Sequence, residues 1–244
     1  MVQTSRPLFG WPGNKGHASR EIIEHFPAHR VYVETRVGGG SVFFAKAPSG
    51  REIVSDPSPN VMRLFEGAKK GIRCRAVVQS QDDLMRMVSR DSMEVCDIYA
   101  RTKCSREHAG KQPRGKESYP CSIRWPWKSQ ASRLRSVRLE RGNYEDIMRR
   151  FDGSDTLHYL DLPLYTTGNH YRDQVSTAPL GAIKKTALQM RGSVVISSDD
   201  HPAVWNTYCR KPSAFACYVI KKPRRSTRRR AENSARNLLV MVKP

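Results

Sequence analysis

Several things are scarce in this sequence of 244 residues, and each scarcity excludes something. No run of about 18 apolar residues occurs, so no membrane-spanning helix is expected and no membrane partner is assigned. The opening residues, MVQTSRPLFGWPGNKG, hold no apolar signal core, so secretion is not expected. Cysteine is sparse: Cys74, Cys96, Cys104, Cys121, Cys209 and Cys217 are scattered without a CxxC pair. Zinc is therefore not expected, no metal site is assigned, and reduced thiols in a cytoplasmic or nucleoid-associated setting are the expectation. Acidic residues are few as well, 23 Asp+Glu against 43 Lys+Arg, giving a net charge of +20 and a pI near 10.1. Such an excess points to a polyanion, most often nucleic acid, with a generally solvated basic surface as the alternative.

What is present is organised around residues 31–46, VYVETRVGGGSVFFAK. A β-rich run ends in Glu34, passes through Gly38, Gly39 and Gly40, and enters a helix-like segment. Strand, glycine turn and helix in that order suit a nucleotide-type cofactor, because glycines let a ligand approach the backbone and the helix offers free N–H groups. An ordinary flexible turn is the other reading of three glycines. A second strand, EIVSD, ends in Asp56, placed where such α/β units use an acid to accept hydrogen bonds from ribose hydroxyls. Ser19 reads as the cap of a first helix and residues 58–68 as another, with Val61, Leu64 and Phe65 on one face. Further on, DTLHYLDLPLY places Asp161 at the end of a strand, where open α/β sheets hold their ligands. A helix over 179–190 and strands over 193–197 and 214–220 are expected to follow, and NLLVMV reads as a closing edge or central strand.

Together these stretches resemble the Dam-type (D12 class) N6-adenine DNA methyltransferases, which use S-adenosylmethionine. That family has an acidic-Pro-Phe-x-Gly-x-Gly cofactor turn and a catalytic Asp-Pro-Pro-Tyr. It also has a Trp-x-Gly-x-Lys segment near the methionine part of the cofactor. The resemblance implies an α/β fold with a Rossmann-like methyltransferase sheet, its two parts over 1–70 and 142–244. Between them, over 71–141, it implies a basic target-recognition lobe. It assigns Trp11, Gly13, Lys15, Glu34, Gly38, Gly40 and Asp56 to the cofactor, with the Lys15 ammonium pairing the cofactor carboxylate. It assigns Asp161 and Pro163 to catalysis, Asp161 accepting hydrogen bonds from the adenine amine, with Tyr165, one position beyond the motif, as the candidate substitute for its aromatic.

Four positions depart from the pattern. Thr35 and Arg36 stand where the family has Pro and Phe, and Leu162 and Leu164 replace the first proline and the stacking aromatic. Leu162 relaxes a fixed φ, and base–aromatic stacking of the kind lost at Leu164 is worth about 1–3 kcal/mol. Tyr165 could substitute only if the turn is reshaped. Arg36 would repel a sulfonium unless Glu34 or Asp161 neutralises it, would bind an anion, would lock Asp161 in an ion pair, or would simply reach solvent. Two functions are expected from this mixture: a DNA-binding pseudoenzyme with lost or weakened methyl transfer, or an active adenine-N6 methyltransferase with a divergent motif.

The middle of the chain mixes cations with aromatics. Lys111, Arg114, Lys116, Arg124, Trp125, Trp127 and Lys128 suit phosphate contact and base stacking; the competing reading folds the tryptophans onto the core. Residues 221–230, KKPRRSTRRR, hold seven cations in ten, including Arg224 and Arg225, and read as a DNA-backbone arm or a loop between terminal strands. Double-stranded DNA is the expected partner, with RNA or a protein partner as alternatives. If charge drives the contact, DNA affinity measured across a salt series falls steeply; an affinity indifferent to salt would point to a protein partner instead.

Overall fold

The computed structural model describes residues 6–90, 92–106, 112–125, 128–162, 180–221 and 237–244. In chain order it begins with α1 (Ser19–Glu24), β1 (Val31–Thr35), α2 (Ser41–Ala45), β2 (Arg51–Ser55) and α3 (Pro59–Lys69). Then come β3 (Cys74–Val78), α4 (Gln81–Ser89), α5 (Val95–Cys104), β4 (Cys121–Trp125), α6 (Lys128–Arg133) and β5 (Arg138–Glu140). The last part holds α7 (Tyr144–Arg150), β6 (Thr156–Asp161), α8 (Leu180–Gln189), β7 (Ser193–Asp199), β8 (Ala216–Ile220) and β9 (Leu238–Lys243).

Seven strands form one sheet in the order β5-β2-β1-β6-β7-β9-β8. Neighbours are parallel from β5 to β7, and β9 runs antiparallel between β7 and β8. Strands of a parallel sheet are apolar on both faces because helices cover both, and the sequence follows that rule. Tyr32, Val54, Leu157, Tyr159 and Val195 pack into one core cluster. Their strand neighbours Val33 and Ile53, and Leu160, Val194 and Ile196, pack into two clusters beneath α7 and α8. The expected α/β architecture with a mainly parallel sheet is therefore present, and NLLVMV is an internal strand.

Local signals decide the boundaries. The Ser58 hydroxyl accepts the Val61 N–H and Pro59 occupies the first turn of α3, so the helix starts there. Asn143 caps α7 in the same way. Ser19, expected as a cap, lies inside α1; its hydroxyl reaches back to the Gly16 carbonyl and Ala18 takes the cap position without a side-chain bond.

The stretch between α3 and β5 contains the antiparallel pair β3–β4, packed with α4 and α5. Its apolar side is continuous with the main core: Leu84, Ile98, Tyr99 and Trp125 share one cluster with Phe65 and Val54. A buried ion group adds a second tie. Glu52 on β2 receives the Lys46 ammonium at 2.8 Å and both arms of the Arg133 guanidinium from α6. The Lys46 ammonium also lies 4.2 Å from the centre of the Tyr32 ring.

The expectation of reduced thiols is overturned. All six cysteines are paired, Cys74–Cys96, Cys104–Cys121 and Cys209–Cys217, at separations of 22, 17 and 8 residues. Two bridges staple α5 to β3 and β4, and the third joins the start of β8 to the turn before it. Cysteine content thus gives no ground for a reducing compartment. Among the described residues, no helix is long and apolar enough to cross a membrane, and no group of three His, Cys, Asp or Glu is placed to hold a metal ion.

Closing loops of 22 and 17 residues is worth about 3 kcal/mol each on the chain-entropy account. Thermal unfolding followed by circular dichroism should therefore show a markedly lower Tm in reductant, and an unchanged Tm would show the bridges to be idle.

Candidate active site

Strand order reverses between β1 and β6, and open α/β sheets bind ligands outside the carboxyl ends of their strands at such a point. A cleft enclosing about 760 Å³, part of it open to solvent, lies there. Its walls come from the segment 11–15, the glycine turn after β1, the end of β2 and the end of β6.

The turn is held from three sides. Gly38, at φ +51°, presents its N–H to the Asp56 carboxylate at 2.9 Å, and the Ser58 N–H meets the other oxygen at 2.8 Å. Asp56 thereby ties the end of β2 to the turn, while burial still raises its pKa to about 6 despite both donors. A Cβ on Gly38 would stand 2.7 Å from the Trp11 indole, and one on Gly39 only 2.3 Å from the Phe9 carbonyl. Both positions are therefore closed to larger residues by the preceding segment. Gly13 and Lys15 line the cleft beside Trp11, whereas Gly40 caps α2 beneath Phe44 and does not line it.

Lys15 and Asp161 meet across 146 residues of chain. The ammonium, buried with a side chain 4% exposed, lies 2.7 and 2.8 Å from the two Asp161 oxygens and also donates to the Gly13 carbonyl. Ser197 on β7 donates to Asp161 Oδ1 at 2.7 Å, and its own hydroxyl contacts Tyr159 at 2.8 Å. Among the described residues, Asp161 is engaged on both oxygens, by Lys15 and by Ser197. The lock on Asp161 foreseen for Arg36 is thus supplied by Lys15. The Arg36 guanidinium lies instead over the Tyr144 ring, 5.6 Å from its centre, and acts electrostatically on Asp56.

Glu34 ends β1 beneath this pair. Burial drives its pKa up to about 8, against the Tyr32 hydroxyl donating to it at 2.6 Å, and the nearby Asp161 charge pushes the same way. At neutral pH it is mostly the neutral acid, so it does not offset Arg36. Leu162, where the resembled motif has proline, is 2% exposed and packs with Ile183 and Val204. Its N–H donates to the Ser197 carbonyl at 2.9 Å, which a proline cannot do.

The basic–aromatic stretch is only partly free for a ligand. Trp125 is 3% exposed and tilted against Tyr99, so it is a core residue and the base-stacking expectation fails for it. The alternation of β4 points Trp125 inward and Arg124 outward. Arg124, Lys116 and Lys128 are exposed, while Arg114 is half-buried and donates to the Ser105 carbonyl. Pro163, Tyr165, Lys111, Trp127, Arg224 and Arg225 lie outside the described residues. Ser197 and Tyr159 escaped the sequence reading, since a serine or tyrosine inside an apolar strand gives no signal.

Residues 11–95, about a third of the chain, match the family model for D12 class N6 adenine-specific DNA methyltransferases. The matched span holds every cofactor-side residue named above and stops before Asp161. Proteins of that family generally use S-adenosylmethionine and act on DNA. No curated protein matches the sequence.

The raised Glu34 pKa has a stability consequence of definite sign. Its folded value, about 8, lies above the ordinary 4.5, so its contribution is complete below pH 4.5 and is lost as pH rises through about 8. Asp56 works in the same direction over its lower window, up to about 6. Glu34→Gln should flatten the decline, matching the parent near pH 4.5 and exceeding it near pH 8.5 in chemical denaturation. Parallel curves at all pH values would show that Glu34 ionises normally.

Proposed function

We propose that this chain is a DNA-binding protein on a Dam-type methyltransferase fold, with methyl transfer to adenine N6 lost or strongly weakened. The Lys15–Asp161 pair carries the reading. Methylating an exocyclic amine requires acceptors that draw off its protons and aim the nitrogen, and both Asp161 oxygens are already engaged, by Lys15 and by Ser197. The Lys15 side chain is 4% exposed, and a buried ammonium parted from its carboxylate is left uncompensated, so a bound base does not free Asp161 cheaply.

The donor set nevertheless fits S-adenosylmethionine. Asp56 would accept from its ribose, Lys15 or Arg36 would pair its carboxylate, and Trp11 would flank its methionine end beside the glycine turn. When bound, the cofactor supplies an electrophilic methyl group on a sulfonium. Lys15 would then serve two carboxylates, and this favours a second reading. A cofactor carboxylate that drew Lys15 away would release Asp161, giving an active enzyme with a divergent motif. The cation-rich stretch inserted between α3 and β5, with β5 itself belonging to the main sheet, takes the part of the target-recognition lobe in either case.

Purified protein incubated with adenine-containing duplex and saturating S-adenosylmethionine is expected to bind the DNA and form no N6-methyladenine above the protein-free control, read by mass spectrometry of digested nucleosides. Accumulation of N6-methyladenine over several turnovers, abolished by Asp161→Ala, would overturn the pseudoenzyme reading and establish the second.

A further inference from the structure

A second concavity lies at the far end of α3. Ser58, which caps the helix, lines the cofactor cleft, whereas Lys69, Lys70 and Gly71 at its other end line this one. Eleven helical residues lie between, about 16 Å of axis. The Lys69 ammonium donates to the carbonyl of Val137, directly ahead of β5, whose first residue Arg138 pairs with Ile53 in the middle of β2. The second concavity therefore sits toward the amino ends of the strands and the cofactor cleft at their carboxyl ends.

Its walls gather Lys70, Arg73, Arg75, Arg124, Lys128 and Arg135, all exposed, and among the described residues no acidic one lines it. None of these six forms an ion pair among the described residues. Arg75 and Arg124 are direct register partners across β3 and β4, both on the exposed face. Like charges directly opposite in a sheet are destabilising, and among the described residues no carboxylate pairs with either. An anion between the two guanidinium groups would relieve them. The adjacent Trp125 lines it but is turned inward and 3% exposed, so among the described residues the surface offers charge rather than an aromatic face. Such a surface suits phosphates, contacts that position a nucleic acid without reading its sequence.

We infer that this concavity is a second nucleic-acid site, one that holds the phosphate backbone of a duplex independently of sequence and away from the cleft facing Asp161. It does not require methyl transfer, and it rests on the preceding reading only for the choice of DNA as the polyanion. A chain gripping DNA here keeps hold of it whether or not a base is engaged at the other end of the sheet.

The test uses the full chain with Arg75→Thr/Arg124→Thr, which removes the like-charge pair and leaves strand-forming residues, so folding is not impaired. The probe is a duplex of G·C pairs only, which has no adenine for the cofactor cleft. Two lost phosphate contacts should make the slope of log K against log salt shallower by about 1.8. Titration of S-adenosylmethionine should be the same for both proteins, reporting the cleft separately. Unchanged duplex affinity and slope in the variant, or a parent that does not bind this duplex, would overturn the inference. So would a variant that loses polyglutamate binding while keeping the duplex, which would make the site one for an acidic protein surface. Presence or absence of N6-methyladenine bears only on the preceding proposal.

Discussion

Strand β1 is hydrogen-bonded in parallel on both edges, to β2 and to β6, along the same five residues Val31–Thr35. A strand committed on both sides sends its neighbours' connections away in opposite directions, and a gap opens where they part. The site follows from that constraint. The carboxyl ends of β1, β2 and β6 bring Glu34, Asp56 and Asp161 to one rim, though the three are far apart in the chain. The segment 11–15 then closes the rim, because the Leu8 N–H bonds the Gly39 carbonyl and Asn14 receives the Ser41 hydroxyl.

Three acids at one rim cannot all be ionised without support, and each has found a different solution. Asp56 is met by two backbone N–H groups, Glu34 holds its proton, and Asp161 has taken a lysine. The deeper Lys46–Glu52–Arg133 group solves the same problem with two cations, and in doing so fastens α6 to the sheet. Buried charges of this kind add little net stability, but removing one member leaves another uncompensated. They therefore hold the segment between α3 and β5 in one position against the main sheet.

Much of this was legible from local pattern. The strand–glycine–helix order, the acid after the second strand and the strand ending at Asp161 are all read within ten residues of chain, where backbone chemistry decides. What was not legible depended on distance. The Lys15–Asp161 contact spans 146 residues, and no residue type at either end announces it. Strands β3 and β4 were hidden because CRAVV and CSIRW are short and carry exposed arginines, so neither stands out as a strand. Their antiparallel pairing also fixes which way Trp125 points, which interleaving of cations and aromatics cannot tell. The disulfides went unseen for a related reason: Cys74 meets Cys96 only after β3 and α5 have packed.

Leu162 bears on how the sequence can change. Its N–H extends the β6–β7 ladder by one bond and its side chain fills the cluster under α8. A proline at this position leaves the Ser197 carbonyl without its donor, about 1–3 kcal/mol if the group stays buried, and vacates the space of the leucine in the same step. Any change to proline here is therefore a joint change, tolerated only with remodelling of the residues that now receive the leucine.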